Sequence, residues 1–332
     1  MSKRRLSHQQ QRRIQRSQQK HIGNIEIQDR SSKQEERRGL VIANYGKKVL
    51  VESEEKQLIT CHIKQNLGAI VSGDQVIWLE ANSSRQEGLI IAVMPRKSVI
   101  SRPVFANKTK YIAANIDVMF IVTAPLPALN EGLLDRYLVM AEYSNIMPVI
   151  VFNKVDTIHE DELNEIKSRL DIYKQFDYHI VYSSVKSLHG LDELTPFLQN
   201  KTSIFVGQSG VGKSSLIKQL LPDVEIKIGD ISTATGKGAH TTTAAYLYHL
   251  SQGGELIDSP GVREFGLVNI ESDTLANYFR EFQPHLGHCQ FRNCSHVNEK
   301  GCAITQALET QQITDKRYQS YLRILDSLQD ER

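Results

Sequence analysis

The chain has 332 residues, 40% hydrophobic and 23% charged, the balance of a globular protein long enough for two or three domains. It holds no run of about eighteen apolar residues that would suggest a membrane span, and its N-terminus lacks the apolar middle of a secretory signal, so the cytoplasm is the expected compartment. Net charge is +2 but unevenly spread: residues 1–38 carry eleven Lys/Arg against four Asp/Glu, about +7, leaving about −5 for the rest.

The first predicted segment, 1–38, is a basic arm. Lys3, Arg4, Arg5, Arg12, Arg13, Arg16 and Lys20 stand among Gln and Ser with few apolar residues, so the arm is expected to be disordered alone. It reads either as a solubilising tail or as an arm that neutralises nucleic-acid phosphates. From 39 to 100 come five short strands rich in Val, Ile and Leu: GLVIANY, KKVLVE, QLITCHI, DQVIWLE and GLIIAVM. Five strands in about sixty residues predict a small antiparallel barrel, of oligonucleotide-binding (OB) type or SH3-like. Cys61 lies in the third strand and reads as a buried thiol. Residues 101–110, with Pro103, read as a linker.

Between 111 and 270 strands alternate with helices, which predicts a parallel sheet with covering helices. The strand MPVIVF runs into Asn153-Lys154-Val155-Asp156. This pattern separates GTP from ATP: a carboxylate at Asp156 accepts both the N1–H and the exocyclic amine of guanine, and adenine lacks that donor pair. Asn153 ties the loop together and the Lys154 stem covers the ring. At the end of the next strand, Ser183, Ser184 and Val185 would add contacts to the base.

The strand TSIFVG then enters Gly207-Gln208-Ser209-Gly210-Val211-Gly212-Lys213-Ser214-Ser215, a complete phosphate-binding loop. Its glycines let successive N–H groups face the phosphates, Lys213 reaches the β and γ phosphates, and Ser214 offers a hydroxyl to Mg²⁺. Further on, the strand ending in Asp258-Ser259-Pro260-Gly261 supplies a second magnesium-side group, Asp258, and a backbone N–H at Gly261 for the γ-phosphate.

Residues 271–332 read as a helical module around a metal loop. Cys289, Cys294 and Cys302 with one histidine make a Cys₃His set suited to one structural Zn²⁺. His296 fits the spacing, and His285 and His288 compete for the place.

The order of the motifs, base-reading before phosphate-binding, is that of a circularly permuted GTPase. With a barrel in front and a Cys/His cluster behind, residues 36–325 resemble the ribosome small-subunit-dependent GTPase family RsgA, also called YjeQ. The motifs carrying the resemblance are RPV, AANID, NKVD, GQSGVGKSSL, GAHTTTA and DSPGVREFGL. The resemblance implies an N-terminal OB-type barrel, a central permuted P-loop GTPase domain and a C-terminal zinc module. It further implies a slow GTPase that binds the 30S ribosomal subunit and its 16S rRNA late in subunit maturation, is stimulated by it, and works as a monomer.

Val262 stands where Ras-type GTPases place a water-orienting Gln, so the catalytic group must come from elsewhere. The resemblance points to His240, with Thr242 completing the Mg²⁺ shell beside Ser214 and Asp258, and to His296 as the fourth zinc ligand. Lys213 and Thr242 would join His240 in catalysis. The alternative reading is an RNA-binding module in which guanine nucleotide is a switch or a structural plug. An ATPase is disfavoured by Asp156.

Overall fold

The computed structural model of the chain describes Gln19 and residues 36–80, 87–104, 108–221, 244–259, 270–297 and 299–330. Most of the basic arm therefore lies outside the described residues. So do His240, Thr242 and Gly261. The described residues divide into two compact units that do not follow the chain order of the expected segments. The first joins the barrel to 111–116 and 244–259; the second holds 101–110, 117–221 and 270–330.

In the first unit, strands β1 (Glu36–Asn44), β2 (Val49–Ser53), β3 (Leu58–Ile63), β4 (Gln75–Glu80) and β5 (Gly88–Val93) pair in the order β1-β2-β3-β5-β4. A β1–β4 ladder, Glu36↔Leu79 to Leu40↔Gln75, closes the ring. The β3–β5 pair is parallel and the other pairs are antiparallel. The expected five strands are present, in an OB-type barrel. Alternation points Val41, Val49, Val51, Cys61, Val76, Trp78 and Ile90 into one core. Burial pushes the Cys61 thiol up to about 12, which makes it the inert thiol that its position in a strand implies.

The register of β1 shifts between Val41 and Ala43, and beyond the shift Ala43 also pairs with Tyr246. Tyr246 opens β12 (Tyr246–His249), which forms an antiparallel hairpin with β13 (Glu255–Asp258). The barrel thus continues into a hairpin from far along the chain. The segment 101–110, read as a linker, instead belongs largely to a two-stranded ribbon of β6 (Val99–Val104) and β7 (Lys108–Ala114). Pro103 masked this in the sequence, because proline is tolerated on an edge strand.

The second unit is built on four parallel strands in the order β10-β9-β8-β11: β8 (Val118–Thr123), β9 (Met147–Asn153), β10 (His179–Ser183) and β11 (Thr202–Val206). The apolar runs of β8, β11 and, beyond Met147, β9 are buried, as strands covered on both faces require, whereas β10 mixes buried, half-buried and exposed residues; Phe120 stacks on Phe205 at 4.7 Å. Helix Glu131–Tyr143 connects β8 to β9; Asn130 caps it by accepting from the Leu133 amide at 3.0 Å. Helix Glu160–Lys174 connects β9 to β10, with three acids in its first turn and Lys174 in its last, matching the helix dipole. Chain order β8, β9, β10 proceeds outward on one side, and β11 returns to the other side of β8. That reversal is the kind of position where α/β sheets bind ligands, beyond the carboxyl ends of the strands.

The C-terminal module is less helical than expected. Residues 275–285 form short 3₁₀ turns, and helices Ala303–Glu309 and Asp315–Asp330 follow the cysteine loop. No helix among the described residues is long and apolar enough to cross a membrane.

Candidate nucleotide site and metal centre

Three of the predicted nucleotide motifs start at carboxyl ends of strands in the same parallel set. NKVD leaves β9, Ser183-Ser184-Val185 leaves β10, and the glycine loop leaves β11. Parallel pairing of Ser183 with Asn153 sets the first two side by side.

The base-reading and phosphate loops are bonded to each other. Asn153 is 2% exposed; its side-chain amide donates to the Val211 carbonyl at 2.9 Å, and its Oδ1 accepts from the Ser183 hydroxyl at 3.3 Å. Lys154 is in the left-handed region (φ 65°), and its ammonium donates to the Gly210 carbonyl at 2.5 Å. The Ser184 hydroxyl donates to Asp156 Oδ1 at 2.6 Å and accepts from the Ser187 amide at 3.1 Å, which orients the exposed carboxylate.

Two glycines in the phosphate loop are required by geometry. Gly207 (φ 135°) would place a Cβ 2.1 Å from the Val122 carbonyl oxygen. Gly212 (φ 99°) would place one 2.3 Å from Asn153 Nδ2, so the contact between the loops depends on a missing side chain. Lys213 begins helix Lys213–Leu220, and its ammonium donates to the carbonyls of Gly207 (2.7 Å) and Gln208 (2.5 Å). Ser209, Gly210, Ser214 and Ser215 are exposed, Gln208 is half-buried and Val211 is buried. The arrangement offers a helix N-terminus, an ammonium and loop amides to an anion, with the Ser214 hydroxyl at the solvent face. Asp258 is the last residue of β13 in the first unit.

In the C-terminal module, Cys289, Cys294, His296 and Cys302 bring their ligand atoms within 4.8 Å of one another. His296 Nδ1 lies 3.5 Å from the sulfurs of Cys289 and Cys302, which are 4.0 Å apart. A tetrahedral ion with Zn–S of about 2.3 Å and Zn–N of about 2.0 Å requires S···N edges near 3.5 Å and S···S edges near 3.8 Å, which Cys289, Cys302 and His296 match, and with Cys294 beside them the set could hold such an ion. The structure brings His296 into the set, and not His285 or His288. The Ala303 amide donates to Cys289 Sγ at 3.3 Å, a polar support common around thiolate ligands.

Several residues that hold these sites carried no sequence signal. Glu299 accepts from the Ser295 amide (2.6 Å), the Ser295 hydroxyl (2.5 Å) and the Val297 amide (2.9 Å). Burial works against its charge, but these hydrogen bonds prevail and hold the carboxyl down at about 2. Tyr318 and Tyr321, on the last helix, donate to the carbonyls of His296, Val297 and Ser295 at 2.7–2.8 Å. On the same helix Arg317, 1% exposed, is bound to Asp135 and Glu281 and lies over the rings of Phe279 and Tyr173. The Tyr173 hydroxyl donates to Asp135 at 2.9 Å. Burial pushes the Asp135 carboxyl up, and the Arg317 charge opposes that shift. This cluster fastens the last helix to helix Glu131–Tyr143 of the parallel-sheet core.

Comparison with known proteins agrees with this geometry. The family profile described as RsgA GTPase matches residues 93–268. The chain is 45% identical over its full length to the small ribosomal subunit biogenesis GTPase RsgA of Hahella chejuensis, covering 98% of that protein. It is 43% identical to the protein of the same name from Haemophilus influenzae strain 86-028NP, covering 99% of this chain and 97% of that one. Among solved structures, YjeQ from Thermotoga maritima superposes with a TM-score of 0.74 at 32% identity, over 90% of this chain and all of that one. YloQ, described as a circularly permuted GTPase, superposes at 0.71 and 25% identity, over 90% and 96%.

Proposed function

The chain belongs to the RsgA GTPase family, and from that premise we propose how it acts in biogenesis of the small ribosomal subunit. It is a GTP-hydrolysing enzyme of small-subunit maturation. Its turnover is slow alone and is stimulated on the 30S subunit, which it binds through 16S rRNA as a cytoplasmic monomer. The observation that carries the nucleotide reading is the bond from Asn153 to Val211, which makes one site from two motifs in reversed chain order.

Asp156, oriented by Ser184, reads guanine, with Ser183 and Val185 beside it. The loop Gly207–Ser215 binds the phosphates and Gly261 faces the γ-phosphate. When bound, Mg²⁺ supplies charge neutralisation on the β and γ phosphates; Ser214, Thr242 and Asp258 would hold it. Lys213 moves its ammonium from loop carbonyls to phosphate oxygens. His240 orients the attacking water or accepts its proton. Cys289, Cys294, His296 and Cys302 would hold one structural Zn²⁺ that closes the loop they share. Residues 1–38, up to the first residues of β1, would be an RNA-directed arm and 39–100 the barrel; 111–270, of which 111–116 and 244–259 belong to the barrel unit, would be the GTPase domain and 271–332 the zinc module.

The test is GTP hydrolysis with and without purified 30S subunits, challenged separately with GDP and ADP. Stimulation by subunits and inhibition by GDP alone are the expected results. Equal turnover with and without subunits would remove the stimulated mechanism, and inhibition by ADP would remove guanine selection.

A further inference from the structure

The strands that flank the nucleotide-sensing segments are built into the barrel unit. In the chain, β12 begins three residues after Thr243, and β13 ends on Asp258, the first residue of the D-S-P-G motif. Three attachments join this hairpin to the barrel. Strand β1 pairs with β12 at Ala43↔Tyr246. The Ser72 hydroxyl donates to the Ala245 carbonyl at 2.7 Å. His249, the last residue of β12, places Nε2 at 2.9 and 3.0 Å from the two carboxylate oxygens of Glu52 on β2.

The third attachment is chemically unlike the other two. Glu52 is 7% exposed, a carboxylate withdrawn from water inside a strand. Its other charged partner is Lys56, whose ammonium donates to it at 3.0 Å. On the far side of the imidazole, Nδ1 of His249 lies 3.9 Å from Glu255 on β13. The imidazole therefore stands between a carboxylate of the barrel and one of the hairpin. Separating it from Glu52 takes one of two charged partners from a largely buried carboxylate, a loss that costs more than it would for an exposed one. No nucleotide-binding or metal-holding role uses either residue.

We propose that Glu52 and His249 are positioning residues that couple the barrel to the nucleotide-sensing segments. When the barrel is held on the ribosomal subunit, the pair fixes the hairpin in register. The hairpin then carries that constraint to Asp258, the last residue of β13 and the proposed magnesium-side carboxylate. Four residues of strand span roughly 10 Å, a short and stiff lever. This inference rests on the proposed ribosome-stimulated activity and adds the route by which stimulation travels.

The experiment measures single-turnover hydrolysis by the full-length protein, with and without saturating 30S subunits, together with subunit affinity by co-sedimentation. The variants are Glu52→Ala, His249→Ala, Glu52→Gln and the double alanine. The expected result is intrinsic rate and subunit affinity within about twofold of wild type, with stimulation lowered about tenfold in each single alanine variant and no further in the double. Glu52→Gln, whose amide oxygen still accepts from Nε2–H, retains most of the stimulation. If Glu52→Ala does not fold, His249→Ala alone carries the measurement, since His249 is 38% exposed and its loss leaves no cavity in the core. Unchanged stimulation, additive losses, or a loss that only follows weakened subunit binding overturns the coupling. A wild-type protein that subunits do not stimulate overturns the stimulated mechanism and the coupling with it; a stimulated wild type with stimulated variants overturns the coupling alone.

Discussion

The side-chain amide of Asn153 donates to the carbonyl oxygen of Val211, 58 residues later, at 2.9 Å. The first residue of the base-reading motif is thereby a structural part of the phosphate loop. The contact is possible because Gly212 presents no side chain to Asn153. Gly212→Ala puts a Cβ 2.3 Å from that amide in a left-handed backbone that costs about 1–2 kcal/mol for an L residue. Affinity for a fluorescent GDP analogue is expected to fall by more than about tenfold, with the thermal midpoint lowered by only a few degrees. Wild-type affinity would show that the two loops are independent.

Asp156 is the proposed reader of guanine, and the Ser184 hydroxyl donates to it at 2.6 Å. Asp156→Ala removes a charge-assisted pair of hydrogen bonds and should weaken GDP binding by roughly 100-fold. Ser184→Ala loses the orienting hydroxyl and should cost about 1 kcal/mol, a five- to tenfold weakening. Titration calorimetry reads both; an Asp156→Ala protein that still prefers GDP over ADP contradicts the assignment.

Arg317 stands between two buried carboxylates, Asp135 and Glu281. Arg317→Ala leaves both carboxylates buried without that partner and should lower unfolding free energy by about 3–5 kcal/mol. Arg317→Met with Asp135→Asn removes a charge of each sign and should recover part of the loss. Urea unfolding measures the series, and a change below about 1 kcal/mol for Arg317→Ala would mean that the cluster is solvated in solution.

One zinc per chain is expected by elemental analysis, and Cys294→Ser should lose it. Because the ion closes the loop between Cys289 and Cys302, chelation or Cys294→Ser should open that stretch to proteolysis while GDP affinity stays within about twofold. Metal-free protein with the same protease resistance would show that Glu299, Tyr318 and Tyr321 hold the loop unaided.

His240→Ala separates the enzyme from a nucleotide-plugged binding module. Loss of a general base or water-orienting group should slow single-turnover hydrolysis by about 100-fold or more without weakening GTP-analogue binding. An unchanged rate would favour the module.

The legible part of the fold was the periodic part. Alternating Val, Ile and Leu placed five barrel strands within two or three residues of their observed limits, and continuous apolar runs such as MPVIVF placed the buried parallel strands. The ribbon β6–β7 was hidden by Pro103, and the cysteine module held 3₁₀ turns where longer helices were expected. Short turns bury too few residues to leave a period in the sequence. Motif residues carried a sequence signal, since phosphates, guanine and metals each demand particular atoms at fixed spacings; the structure bonds Asn153 to Val211 and Ser183 and gathers the three cysteines with His296, while His240, Thr242 and Gly261 lie outside the described residues. Glu52, Asp135, Glu299 and Arg317 were not legible, because an isolated charged residue reads as surface until its partner is known.

The sequence by itself set the chemistry to be expected of the chain: a carboxylate placed to read guanine, a glycine loop and lysine suited to phosphates, and three thiolates with an imidazole that could hold a metal. These are local patterns, complete within a few residues, and permuting the chain does not disturb them. Only the tertiary structure decided which histidine joins the thiolates, that Asn153 bonds to the phosphate loop, and that the hairpin ending at Asp258 is built onto the barrel. The last two outcomes depend on contacts between residues tens to hundreds of positions apart. Such contacts are set by strand pairing and burial, which local spacing does not encode.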